Sequence, residues 1–169
     1  MSLVPLTEPA GLNLAQQLRH LRAANELARA ARAAGRHPFG ALLVAPDGET
    51  VLMTQGNVDT VRHAESELAR AAARRFDADT LWACTLVTTV EPCAMCAATQ
   101  YWAHIGGLVY GLSEESLLAL TGAHPENPTL RLPCRQVFAA GSKPLWVAGP
   151  VAQAEDEIAL LHCDFWTSK

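Results

Sequence analysis

Two short patterns constrain this chain more than anything else in it: His63-Ala64-Glu65 and, thirty residues on from the histidine, Pro92-Cys93-Ala94-Met95-Cys96. Two thiols three apart, followed by apolar residues, predict the first turn of a helix. Side chains at i and i+3 share a helix face, so Cys93 and Cys96 can aim their sulfurs at one point. Pro92 stands at the entrance, where a missing N–H costs nothing. The positive end of the helix favours thiolate over thiol, and thiolate is the form that binds a metal. His63, as a neutral imidazole, supplies a third ligand. Three protein ligands leave one tetrahedral position open, the pattern of a catalytic zinc and not of a structural one. Any fold for this chain must therefore bring the helix starting at His63 beside the one starting at Cys93.

Glu65 decides the chemistry. Two residues from His63, it does not share the ligand's direction and can stand beside the metal. From there a carboxylate can take a proton from a zinc-activated water and pass it on. Taken alone, Cys-x-x-Cys also describes half a structural zinc knuckle or a redox pair. A structural site needs a fourth Cys or His in a paired motif, and neither Cys84 nor His104 sits in one. A redox pair has no need of His-x-Glu.

His-x-Glu with Pro-Cys-x-x-Cys is a known signature of zinc nucleobase deaminases. By these residues the chain resembles the cytidine deaminase superfamily, over roughly the middle two-thirds of its length. The resemblance implies a three-layer α-β-α sandwich with a mixed five-stranded sheet, one Zn2+ per chain, and hydrolytic release of ammonia from an aminated heterocycle.

Composition narrows the setting. The 169 residues, half of them hydrophobic, predict one domain with a sizeable core. No apolar run approaches the ~20 residues of a membrane span. The opening Met1-Ser2-Leu3-Val4-Pro5 lacks a basic region followed by an apolar core and does not read as a secretory signal. Five cysteines without framework spacing argue against a disulfide scaffold and for the cytoplasm. Two are assigned to metal. Cys84 reads as a small buried hydrophobe, and Cys134 and Cys163 are left unassigned. A net charge of −4, with most arginines spread along two helices, is not the basic patch of a nucleic-acid binder.

In chain order, residues 1–11 read as an extended lead-in. A helix follows from Leu12 to Ala34, with Leu14, Leu18, Leu21 and Leu27 at helical spacing and Gly35 as its stop. Strands over Phe39–Ala45 and Val51–Gln55 flank the turn Pro46-Asp47-Gly48-Glu49 and predict a hairpin. Phe39 reads as core by default and His37 as a surface residue. The helix from His63 runs to about Arg75, and a strand is expected over Trp82–Thr89. The cysteine helix should reach about His104, stopped by Gly106-Gly107. A strand at Leu108-Val109-Tyr110 and a helix capped by Ser113 come next. Thr121–Pro133 is a loop of a length that is often functional. Leu145–Ala148 is the last strand and Ala152 to about His162 the closing helix.

Substrate-facing residues come from the resemblance. It implies that Asn57, otherwise a turn residue, hydrogen-bonds the base. Independently of it, the backbone N–H groups at the two helix starts, near Ala64 and Met95, are expected to help polarise the substrate. Gln100-Tyr101-Trp102-Ala103, the Pro-Phe-Gly-Ala opening of the first strand and the aromatic tail are similar to guanine deaminases. That branch reads its base with an acidic residue beyond the fourth strand. Glu114, Glu115 and Glu126 are the candidates here, with Glu126 the first to test. Phe165 or Trp166 is a candidate cap over the site. The tRNA adenosine deaminases share His-Ala-Glu and Pro-Cys-x-Met-Cys, but they need a basic surface near the C-terminus, where this chain carries Glu155-Asp156-Glu157. The expectation is a homodimeric guanine-type deaminase of a small heterocyclic base. The alternatives are a tRNA adenosine deaminase and a non-catalytic zinc-binding module, the latter opposed by Glu65.

Overall fold

The alternation of side chains along the first strand sets up two cores, one on each face of a sheet. The computed structural model describes residues 6–122 and 124–167, so the first five residues of the expected lead-in lie outside it. Strand β1 (Gly40–Val44) turns Leu42 and Val44 to one face and Ala41 and Leu43 to the other. It pairs antiparallel with β2 (Val51–Gly56) and with β3 (Thr85–Val90). β3 runs parallel to β4 (Gly107–Leu112), and β4 parallel to β5 (Trp146–Ala148). The order β2-β1-β3-β4-β5 makes the sheet mixed and five-stranded, as expected.

Helix α1 (Leu14–Ala33) covers one face together with α5 (Glu114–Thr121) and α7 (Ala152–Ala159), through Leu21, Ala24, Leu117 and Ile158. Helices α2 (Ala64–Arg75), α4 (Ala94–Trp102) and α6 (Cys134–Ala139) cover the other, through Leu68, Ala72, Ala97 and Phe138. The three layers match the expected sandwich.

The start of α1 is fixed by a reciprocal cap. The Asn13 side chain accepts from the Gln16 N–H, and the Gln16 side chain accepts from the Asn13 N–H, both at 2.9 Å. Its buried face differs from the leucine stripe read in the sequence. Leu14 is largely exposed, while Ala24, Ala28 and Ala31 are buried. Small residues face the sheet because β1 crosses very close: a Cβ on Gly40 would collide with the Ala24 carbonyl oxygen.

Two short helices had no counterpart in the sequence reading, α3 (Ala78–Trp82) and α6. Asp77 caps α3 by accepting from the Thr80 N–H at 2.8 Å, so Trp82 ends a helix and the third strand begins only at Thr85. Helix α4 stops at Trp102, and His104 takes a left-handed φ of 66°. The expected glycine stop serves another purpose, since a Cβ on Gly106 would collide with the Trp82 carbonyl. Helix α7 ends at Ala159, and turns carry the chain on to Thr167. Cys84 and Cys134 are buried and Cys163 is exposed. No helix among the described residues is long and apolar enough to cross a membrane.

Candidate active site

His63 and Cys93 occupy the same structural position in two different helices. Each is the residue immediately before the first helical one, His63 for α2 (φ −70°, ψ 152°) and Cys93 for α4 (φ −60°, ψ 168°). A side chain there ordinarily accepts from the open N–H groups of the first turn. Neither does so here. Cys93 thus precedes its helix and Cys96 is the third residue within it, a refinement of the expected placement of both thiols in the first turn.

The His63 Nδ1 atom lies 3.6 Å from Cys93 Sγ and 3.6 Å from Cys96 Sγ. All three donor atoms fall within 4.8 Å of one another. Zinc bonds of about 2.3 Å to sulfur and 2.0–2.1 Å to nitrogen, at a tetrahedral angle, separate the two ligand atoms by about 3.6 Å. The set therefore fits zinc in distance and in donor type. The other His63 nitrogen, Nε2, stands 3.1 Å from the Thr60 carbonyl oxygen and donates to it, so that in the neutral ring the Nδ1 lone pair faces the thiols. Hydrogen bonds from Cys96 and then His63 pull the Cys93 thiol down to about 4, while its bond to Cys93 and burial push Cys96 up. The bond to Cys93 raises His63 to about 9. Metal binding displaces such shared protons.

Glu65 is the second residue of α2 and is buried. Its Oε1 accepts a 2.7 Å hydrogen bond from the Thr88 hydroxyl, and Cys96 Sγ lies 3.6 Å from its Oε2. Strand alternation supplies Thr88: two residues beyond Leu86, it shares the sheet face that α2 covers. Burial raises the Glu65 carboxyl above the ordinary carboxylate range, opposed by the Thr88 hydrogen bond. A carboxyl held this way, beside three metal ligands, is suited to accept and return a proton.

In front of these groups opens a cavity of about 440 Å³. It is lined by residues of the metal site and by residues 125–130, and its acidic groups include Glu65, Glu91, Glu114 and Glu126. Lys and Arg are absent among its described lining residues. Of the three acids left open by the sequence, Glu114 and Glu126 line the cavity, whereas Glu115 faces a neighbouring surface groove. Phe39 and His37 line it as well. His37 is buried, not at the surface, because the C-terminal aromatic residues cover it.

Asn57 is buried and is not among the residues that line the cavity. Its Nδ2 donates to the Asp59 carbonyl at 3.0 Å, and its Oδ1 has no hydrogen-bond partner among the described residues. Ala64 begins α2, with its N–H among the open donors of that helix start. Trp166 is buried and does not line the cavity; it packs on His37, which does.

The sequence reading missed the part played by Glu91. Its Oε2 accepts from the Glu114 N–H at 3.1 Å and its Oε1 from the Cys134 N–H at 3.0 Å. One carboxylate next to the metal motif thus ties down the starts of α5 and α6, the helices that flank loop 122–133. A Glu directly before Pro-Cys was the available signal, but its partners lie 23 and 43 residues away.

Fold and site together define a zinc-dependent hydrolase acting on the C–N bonds of cyclic amidines. Residues 14–112 match the model of the cytidine and deoxycytidylate deaminase zinc-binding region, and the chain belongs to that family. It is 37% identical over 156 residues to a probable cytosine deaminase of Schizosaccharomyces pombe, covering 89% of this chain and 93% of the relative. It is 39% identical over 77 residues to the guanine deaminase of Bacillus subtilis, covering 43% of this chain and 49% of that one. A solved guanine deaminase from Nitrosomonas europaea shares the fold, with a TM-score of 0.70 at 23% identity over 95% of this chain and 89% of that one.

Proposed function

We propose that the chain deaminates a free aminated nucleobase, with a guanine-type base favoured. The observation that carries this reading is the charge of the cavity. Four glutamates and no described Lys or Arg line it. Glu91 spends both oxygens on the Glu114 and Cys134 N–H groups and Glu65 serves proton transfer, so Glu114 and Glu126 are the acids that face a ligand. Carboxyl oxygens there accept from a base whose polar edge is rich in N–H donors, as guanine's ring N–H and amino group are. The same lining repels phosphate, which disfavours nucleotides and an RNA loop. The likeness to a probable cytosine deaminase supports cytosine as the second reading.

His63, Cys93 and Cys96 would hold the zinc, which supplies Lewis-acid activation of the attacking water and of the developing oxyanion. Glu65 takes a proton from that water as its oxygen bonds to the amino-bearing ring carbon. It gives that proton to the ring nitrogen, then takes the proton of the newly added hydroxyl and gives it to the leaving amine; the C–N bond breaks as the C=O bond forms, and ammonia departs. Thr88 keeps the Glu65 carboxylate aimed at the reacting atoms. Asn57, the Ala64 N–H and Glu126 are proposed to position the base. We further propose a homodimer, for which the 80% exposed Trp102 at the end of α4 offers an apolar contact, and a cytoplasmic setting, supported by five cysteines without framework spacing.

Ammonia release by zinc-loaded protein from guanine, cytosine, isocytosine and 2,6-diaminopurine tests the reading. Guanine is expected to be turned over fastest. A clear preference for adenosine in an RNA stem-loop would overturn it.

A further inference from the structure

Trp166 stands behind the cavity wall, and two histidines connect it to Glu126. The His37 ring lies 4.9 Å from Trp166 and the His124 ring 5.3 Å from it, between ring centroids. His37 Nε2 is 3.1 Å from Glu126 Oε2, and the Glu126 N–H donates to His124 Nδ1 at 3.1 Å. The described residues therefore hold Glu126 by its carboxylate and by its backbone, and both holding rings rest on one indole.

The indole is itself fixed. It is 4% exposed, and its Nε1–H donates to His162 Nδ1 at 3.3 Å. The two rings lie parallel, 6° apart. Burial pushes His162 down to about 3, so its ring stays neutral and its Nδ1 stays an acceptor. Phe165 closes the other side of His37, with centroids 6.0 Å apart. Glu126 needs such support. It sits in a loop without helix or strand among its described residues, with 44% of its side chain exposed, where a Glu side chain samples many rotamers. A carboxylate has lone pairs enough to meet His37 and a base together.

We propose that Trp166 is a positioning residue which, through His37 and His124, sets the place of the Glu126 carboxylate, so that the C-terminal segment tunes substrate binding without touching substrate. This rests on the reading that Glu126 meets the base.

The test is steady-state kinetics of full-length, zinc-loaded protein with whichever of guanine, cytosine, isocytosine and 2,6-diaminopurine is turned over fastest. Trp166→Ala and His37→Ala are expected to raise KM about tenfold with kcat within threefold of the parent. His37→Gln, which keeps an N–H donor, should recover most of that KM. In a Glu126→Gln background, neither alanine variant should shift KM by more than twofold, because the group they position is already altered. Should Trp166→Ala lose zinc, Trp166→Phe carries the test, with a threefold rise in KM that again vanishes in the Glu126→Gln background. Effects that multiply with Glu126→Gln, or that fall on kcat alone, overturn the positioning role while leaving the Glu126 reading intact. A Glu126→Gln variant with unchanged KM removes that reading and this inference with it.

Discussion

The Thr88 hydroxyl donates to Glu65 Oε1 over 2.7 Å in a contact both residues bury. A strand thus holds the carboxyl, proposed as the proton-transfer group, that a helix start presents to the His63, Cys93 and Cys96 set. Thr88→Val keeps the shape and removes the donor. A buried hydrogen bond to a charged group is worth about 1.5–3 kcal/mol, so a roughly tenfold or greater loss in kcat is expected, with one zinc per chain retained. Ammonia-release kinetics beside metal analysis check this. An unchanged kcat would show that Glu65 is positioned by other groups.

Glu91 joins the metal motif to the loop that carries Glu126. Glu91→Ala leaves the Glu114 and Cys134 N–H groups without their acceptor, and a cost of about 3 kcal/mol in unfolding free energy is expected. Chemical denaturation measures it. A loss below 1 kcal/mol would mean that water replaces the carboxylate at little cost.

Burial first, and then the charges of Cys93, Glu65 and Glu91, push Glu114 up to about 7. A carboxyl raised in the folded state contributes stability at low pH that is lost as pH rises through its folded value. Glu114→Gln is therefore expected to match the parent in stability near pH 4.5 and to exceed it by on the order of 2 kcal/mol at pH 8.5, a tenfold change in proton affinity being worth about 1.4 kcal/mol. Denaturation at the two pH values reads the gap directly. A gap that is constant across the range would refute the assignment.

Zinc binds the folded site and stabilises it by mass action. Chelation should lower Tm and abolish turnover, and restored zinc should return both. Cys96→Ala should lower zinc content well below one per chain while leaving the far-ultraviolet circular dichroism of the remaining folded protein unchanged. Full zinc occupancy in that variant would place the metal elsewhere.

The convergence of His63, Cys93 and Cys96, with Glu65 beside them, was legible because local helix geometry turns the short spacings His-x-Glu and Cys-x-x-Cys into proximity. Strand alternation and the Asp47-Gly48 turn made the hairpin legible in the same way. The rest depends on distant contacts. Helices α3 and α6 are 5 and 6 residues long, too short for a periodic signal, and the apolar run after Leu81 resembles a strand until Asp77 is seen to cap a helix before it. His37 looked like a loop residue because the rings that bury it arrive from the far end of the chain. Glu114 read as a solvated first-turn acid, and only the convergence of α5 on the cavity shows it half enclosed among other carboxyls.

The most direct measurement is ammonia release by Glu65→Gln with zinc quantified in the same samples. With the His63, Cys93 and Cys96 ligands untouched, the variant should keep one zinc per chain and lose about 10²–10⁴-fold in kcat. A variant that holds its zinc and turns over within a few-fold of the parent would contradict the role given to this carboxyl.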